Sequence, residues 1–509
     1  MKKNEGTKIE KQNDILITKI LNMPQTIISL INLWCSKNLV DSQLLLGRFL
    51  ASNQEDVVYS TDPYDPEVEL VFLNTCGFIS SGREEMFQTI KKLISHQKKV
   101  CVIWCAVQYF QKLQNPLGFA VSPLSGGDTR YTASSCSSNV SPWEGRGRTN
   151  VERTEEGFSE ERGRRQTITQ NPNISFLSRN DLKTTTISQI LQQYKSQIFN
   201  DFERLENPRA LTNIDNKFEY LKIAEGCNNN CPFCIIPKIR GGQKSLPIEK
   251  ILSEVQMLVH EWAEEIILIA QDSTRYGIDL YGKPQLFQLL SQIEQLPWNF
   301  QYRLLYLYPD ILTLNHLKKL TTFKKFIPYF DIPLQHISSS ILKSMGRFYD
   351  EQAIYQFLDF IKENFKTSFI RTNFIIGFPG ETEADFQQLQ SFVQQDYFDN
   401  IALFEYHDEP LASSSQIPDK VPDTTIHKRF LTLRKLVNSL LLQRQQARKG
   451  KTFTGYIQEI HQENRQIFLS VRPSLHCPEV DELDDIQLSA ILSSENEQLH
   501  IGSKITYTL

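Results

Sequence analysis

The chain has 509 residues, 40% of them apolar and 22% charged, and a formal net charge of −4. That length allows about three domains with separate cores, and the slight acidic excess argues against a general nucleic-acid coat, which shows itself as a basic balance. No apolar run reaches the ~20 residues needed to span a bilayer. Met1 to Pro24 mixes five Lys with Glu5, Glu10 and Asp14 where a secretory signal would be apolar, so a cytoplasmic protein without membrane contact is expected.

From Pro24 to about Leu113 short apolar strands alternate with helical patterns. Thr26 to Leu33, Glu69 to Asn74 and Val100 to Trp104 read as strands, Asp41 to Leu50 and Val107 to Leu113 as helices. This alternation predicts a small parallel α/β sheet. Ligands of such sheets gather outside the carboxyl ends of the strands, where Cys35, Cys76 and Cys105 fall. One cysteine after a strand is ordinary packing. Three at successive strand-to-helix turns predict a three-thiolate site assembled in space, with three independent core cysteines as the alternative.

Between Pro123 and Arg165 the composition shifts to Ser, Gly, Glu and Arg, with seven Arg and no Lys. This stretch reads as a disordered insertion, recently acquired or mistranslated, and Cys136 within it is given no role. From Tyr220 the alternation resumes. Glu265 to Ala270, Arg303 to Tyr308, Tyr329 to Ile332, Ser368 to Ile376 and Asn400 to Tyr406 read as strands, with amphipathic segments such as Pro247 to His260 and Asp350 to Asn364 between them. Six or so β/α units predict a full or partial barrel with its working residues at the carboxyl ends of the strands.

The first of those ends carries Cys227, Cys231 and Cys234 in a C-x3-C-x2-C run. Three thiolates are one too few for a four-iron cubane, so one iron stays open to a small chelating molecule. A zinc site would want a fourth Cys or His, and His260 and His336 lie far along the chain. A disulfide does not suit a reducing compartment. A helical segment from His427 to Lys449 leads into Gly450 to Leu509, whose strand-like alternation predicts a small antiparallel barrel. That last stretch holds four Lys/Arg against nine Asp/Glu, a balance suited to a basic protein partner and not to tRNA; a merely solvated acidic face is the alternative.

The three-cysteine run resembles the signature of radical S-adenosylmethionine enzymes, and the three blocks in this order resemble the methylthiotransferase family among them. Within it, several stretches are similar to the RimO branch, which modifies an aspartate of small-subunit ribosomal protein uS12, more than to the MiaB-like tRNA branch. They are Cys35 to Ser42, Leu221 to Cys227, Ile235 to Gly241, Ile269 to Gly277 and Pro333 to Ser338. The resemblance implies an α/β protein in which 25–122 form a cluster-binding domain, 123–172 an insertion and 173–213 a linker or the end of that domain. It makes 214–447 a partial TIM-like radical barrel and 448–509 a TRAM domain, in which Cys477 of Cys477-Pro478-Glu479-Val480-Asp481 is a substitution and not a ligand.

It also implies two four-iron, four-sulfur clusters. Cys227, Cys231 and Cys234 would hold the one that cleaves S-adenosylmethionine to a radical, and Cys35, Cys76 and Cys105 an auxiliary one that carries the sulfur to be donated. One cofactor molecule would methylate that sulfur and a second would open the substrate's β-carbon. Phe233, Gln271, Asp272 and the turn Gly377, Pro379, Gly380 and Glu381 would contact the cofactor, although a plain helix-opening turn also accounts for the last four. Implied partners are uS12 or the small ribosomal subunit, an electron donor such as flavodoxin or ferredoxin, and a sulfur source. Trp34 and Trp104 stand where the family has Gly, and either shield the auxiliary cluster or mark a site that has drifted. A tRNA methylthiotransferase and a non-catalytic iron–sulfur protein remain the alternatives.

Overall fold

The computed structural model describes residues 26–33, 36–50, 57–78, 80–103, 105–112, 174–177, 209–211, 216–463, 465–494 and 499–509. Cys35, Trp34, Trp104, the 123–172 insertion and most of the 173–213 segment lie outside them. The chain divides into two compact units, Met1–Leu211 and Thr212–Leu509.

The first unit is a parallel sheet of β1 (Thr26–Asn32), β2 (Val57–Tyr59), β3 (Leu70–Asn74), β4 (Lys99–Ile103) and β5 (Ile174–Leu177), in the order β2-β1-β3-β4-β5. Helices α1 (Ser36–Leu50), α2 (Ser80–Ser95) and α3 (Cys105–Lys112) follow β1, β3 and β4. All five residues of Leu70–Asn74 are buried, as expected of an inner parallel strand covered on both faces. Two strands escaped the sequence pattern. Val57–Tyr59 is too short to show alternation, and Ile174–Leu177 lies in the 173–213 segment read as a linker or the end of the first domain, where it pairs with β4.

The second unit holds six parallel strands in chain order: β6 (Phe218–Lys222), β9 (Glu265–Ile269), β10 (Gln301–Leu304), β11 (Phe326–Gln335), β12 (Phe369–Ile376) and β13 (Asn400–Glu405). The two-residue strands β7 (Ala224–Glu225) and β8 (Lys244–Ser245) pair with each other. Among the described residues β6 and β13 pair only inward, so the sheet is an open arc, the partial form of the expected barrel. Covering helices bury one face. Ile248, Ile251, Val255 and Leu258 of the Ile248–Glu261 helix are spaced at three and four residues and are all buried.

The sequence pattern places the third of these strands at Arg303 to Tyr308, but it spans Gln301–Leu304. Tyr306 turns into the left-handed region at φ 62°, which breaks the ladder. The helix Asp423–Arg448 then leads to an antiparallel sheet of β14 (Thr452–Glu463), β15 (Gln466–Pro473), β16 (Asp484–Gln487), β17 (Ile491–Ser494) and β18 (Lys504–Thr508), ordered β16-β15-β14-β18-β17. Its core is Ile457, Leu469, Val471, Ile486, Ile505 and Tyr507. No described helix is long and apolar enough to cross a membrane.

Candidate iron–sulfur and cofactor site

Gly226 opens the three-cysteine loop at φ 77°, and a Cβ there would lie 2.3 Å from the carbonyl oxygen of Gly242. Only glycine permits that approach. It lets Cys227 N–H donate to Gly241 O at 3.1 Å, closing the loop against the segment after the Ile236–Arg240 helix. The side chain of Asn228 accepts from Gln243 N at 3.0 Å, and Cys234 N–H donates to Cys231 O at 2.9 Å.

Cys227 and Cys231 are buried, and Cys234 is partly so. Cys231 raises the cost of ionising both Cys227 and Cys234, and Cys227 that of Cys234, so the three lie near one another. Burial pushes Cys227 up to about 11 and Cys234 up to about 12, and raises Cys231 as well. Backbone N–H groups of Asn229 and Ile236 already point at Cys227 Sγ and Cys234 Sγ, each at 3.4 Å. Three buried thiolates are stable only with bound cations, and N–H groups aimed at sulfur suit an iron–sulfur cluster. Among the described residues no set of three or more His, Cys, Asp or Glu side chains closes on a single metal ion.

Gln271 and Asp272 follow β9 at its carboxyl end, beside this loop. Asp272 accepts from Asn229 Nδ2 at 2.7 Å and from Thr274 N at 3.0 Å, and Arg275 Nε lies 3.3 Å away. Burial raises its carboxyl even against the hydrogen bonds from Thr274 and Asn229. Gln271 Nε2 donates to Glu225 Oε1 at 3.0 Å, and Glu225 is also paired with Lys222 and Arg240 at 2.8 Å each. The other end of the Gln271 amide, Oε1, is buried without a partner among the described residues. An unmet buried acceptor beside three thiols fits a ligand that brings a donor, such as an ammonium group.

The Gly377 to Glu381 turn is held mainly by the protein itself. Glu381 is buried, with Oε2 accepting from Gly377 N at 2.7 Å and Oε1 from Arg429 Nη1 at 2.8 Å. A Cβ on Gly377 would meet Ile426 Cγ1 at 2.3 Å, so helix packing requires that glycine. Above Gly380, at φ 86°, the space is open, and Pro379 is buried. Phe233 stands edge-on to Phe378, with ring centroids 6.4 Å apart, which joins the turn to the cysteine loop. A cation close by, Arg347, was not singled out in the sequence; it lies more than a hundred residues beyond the loop.

In the first unit the loop after β3 lies on the first turn of α3. A Cβ on Gly77 would be 2.3 Å from Cys105 O, and Arg83 Nη1 donates to Gly77 O at 3.0 Å. This brings Cys76 and Cys105 to the same end of adjacent strands. Cys105 is the first residue of its helix, where the helix dipole favours negative charge. Asn74 Nδ2 donates to Asn38 O at 2.7 Å and to Ser42 Oγ at 2.8 Å, fastening the start of α1 at that end.

The Radical SAM superfamily pattern matches residues 221–393, and residues 28–116 match one described as Uncharacterized protein family UPF0004. The barrel and its three thiols thus define a radical S-adenosylmethionine enzyme. The relative from Dictyoglomus thermophilum, described as ribosomal protein uS12 methylthiotransferase RimO, is 34% identical over 84% of this chain and 88% of its own. Relatives of the same description from Crocosphaera subtropica and Chlamydia abortus are 32% and 30% identical, covering 89% and 95% of this chain and 91% and 94% of theirs. The chain belongs to the RimO-type methylthiotransferase family. Among solved structures, the radical S-adenosylmethionine methyltransferase TsrM from Kitasatospora setae superposes at a TM-score of 0.45 with 12% identity, over 77% of this chain and 74% of its own.

Proposed function

We propose that this chain adds a methylthio group to the β-carbon of an aspartate in ribosomal protein uS12, in the cytoplasm. The observation that carries this is the converged three-thiol loop at the carboxyl end of the first barrel strand, in a chain similar to RimO relatives along nearly all of its length. Residues 25–122 would form the cluster-binding domain and 214–447 the radical barrel. Cys227, Cys231 and Cys234 would hold one four-iron cluster and Cys35, Cys76 and Cys105 the auxiliary one. When bound, the clusters and S-adenosylmethionine supply radical cleavage and transferable sulfur.

The protein's own part is placement. Gln271 Oε1 is available to a ligand ammonium, and Asp272 is held by Asn229 and Thr274 so that it cannot swing away. Phe233 and Pro379 wall the site with apolar surface that excludes water, and Gly380 leaves open space for a nucleoside. Glu381 fixes the turn through Gly377 N and Arg429. The stretch from Gly450 to Leu509, with nine acidic residues against four basic ones, suits a basic ribosomal protein. A flavodoxin or ferredoxin would deliver electrons, and a separate donor would replenish sulfur.

Anaerobically reconstituted enzyme should hold about eight irons per chain, falling to about four when either cysteine triplet is replaced by Ala. With reductant, sulfide and S-adenosylmethionine it should transfer a methylthio group to recombinant uS12, read by mass spectrometry. Transfer to tRNA and not to uS12 would overturn the substrate assignment. Only about four irons, all lost with Cys227, Cys231 and Cys234, would overturn the sulfur-insertion assignment.

A further inference from the structure

Arg347 is 5% exposed, and the groups that act on its charge are Tyr349, Cys231 and Tyr308, the last also a hydrogen-bond partner, with no carboxylate among them. Its guanidinium carbon lies 4.4 Å from the ring centroid of Tyr308 and 5.7 Å from that of Phe233. Two of its donors, Nε and Nη2, are buried without a hydrogen-bond partner. A buried, unpaired cation costs several kcal/mol; aromatic faces return only about 2 of that. An anion is missing from the environment of this side chain.

The position of Arg347 says where that anion sits. It follows the Ser339–Ser344 helix, with its N–H bonded to Leu342 O at 2.9 Å. Its neighbour Gly346 runs so close to the cysteine loop that a Cβ would lie 3.0 Å from Asn230 O and 3.3 Å from Pro232 Cδ. Phe233, whose ring the guanidinium approaches, stands between Cys231 and Cys234 in that loop. A four-iron cluster on three thiolates is net negative and gains a further negative charge on reduction, so a fixed cation beside it favours the reduced form.

We propose that Arg347 is the built-in counter-charge of the cluster held by Cys227, Cys231 and Cys234, its Nε and Nη2 donating to cluster sulfur and raising the reduction potential. This rests on the cluster assignment made under Proposed function. The Tyr308 and Phe233 rings hold the planar guanidinium in place, which an ammonium group would exploit less well. Arg347 therefore sets how readily the cluster accepts the electron that starts the reaction.

The test is an EPR-monitored redox titration of the full-length chain carrying Cys35→Ala, Cys76→Ala and Cys105→Ala, so that only one cluster is present. Arg347→Gln should lower the ratio of reduced to oxidised cluster at a fixed solution potential at least tenfold, about 59 mV for one electron. Arg347→Lys, which keeps the charge, should restore more than half of that shift. Arg347→Met, similar in length, replaces the Gln variant should that one load fewer irons. Equal potentials in all variants, each with a full cluster, would overturn the proposal, as would an unchanged potential with weaker S-adenosylmethionine binding by calorimetry, which would assign Arg347 to the cofactor carboxylate. Failure of the unsubstituted Arg347 protein to load about four irons would instead overturn the cluster assignment itself.

Discussion

At the scale of single residues, the site depends on backbone that only glycine can supply. Gly226 combines φ 77° with a 2.3 Å approach to Gly242 O, so alanine there meets both strain and collision. The strain alone costs about 1–3 kcal/mol. Relief of the collision must move Gly241 and Gly242, whose segment anchors Cys227 N and Asn228. Gly226→Ala is expected to lower stability by at least that amount in urea melts and to lose most of the iron assigned to the Cys227 loop. Gly380→Ala, where a Cβ meets nothing within 4 Å, pays only the strain and should keep its iron, while weakening S-adenosylmethionine binding if the space above it takes the nucleoside. Iron assay and calorimetry on the two variants separate loop closure from ligand contact.

At the scale of elements, the Glu383–Gln394 helix shows how a short local pattern fixes an entry to the site. Thr382 Oγ1 accepts from Asp385 N at 3.2 Å, and Asp385 Oδ2 accepts from Thr382 N at 3.0 Å, a reciprocal capping box. Burial would raise the Asp385 carboxyl, but hydrogen bonds from Ser338, Thr382 and Ser340 outweigh it and hold it at about 2. A carboxyl depressed in the folded state stabilises above its unfolded value, about 3.9, and loses that contribution as pH falls towards 2. Asp385→Asn is therefore expected to cost about 1 kcal/mol at pH 6, and the difference from wild type should shrink between pH 4 and pH 3 in chemical denaturation.

The same scale shows what the sequence could and could not reveal. The cysteine loop and the long strands were legible because their signals are local: three thiols within eight residues, or a continuous apolar run such as Ile266–Ala270. The Ala224–Glu225 and Lys244–Ser245 clasp was not, since two-residue strands carry no period. The φ of 62° at Tyr306 and 72° at Gln335 follows from tertiary contacts such as Tyr306 N–H to Asp331 Oδ2, which no local pattern announces. Arg347 was hidden for the same reason, because only folding brings it to Cys231. Glu381 was legible as a turn residue, but its internal bonds to Gly377 and Arg429 could be seen only in three dimensions.

At the scale of the whole second unit, the buried ion bridge and the proposed iron site occupy opposite ends of the same strands. The cysteines and Gln271 lie beyond the carboxyl ends, whereas the C-terminal sheet docks on the amino ends. Glu265, the first residue of its strand, is 3% exposed and bridges Arg303 of the barrel and Arg472 of the C-terminal sheet, the latter at 2.9 Å. Arg303 reaches across to Leu475 O at 2.9 Å, Asn400 to Asp481 at 2.7 Å, and Tyr220 to Pro478 O at 2.8 Å. Burial alone would raise the Glu265 carboxyl, but the two guanidiniums hold it below the ordinary range. It thus stabilises above about pH 4.3 and less as pH falls through its depressed value. Glu265→Gln leaves two buried guanidiniums without their charge partner and should cost about 3–5 kcal/mol at neutral pH, a deficit that narrows under acid. Because the chemistry lies at the far end, the fraction that stays folded should still bind its full iron complement at the Cys227 loop. Calorimetry paired with iron assay checks both halves: a variant that melts normally contradicts the bridge, and one that folds but loses iron contradicts the separation of the two ends.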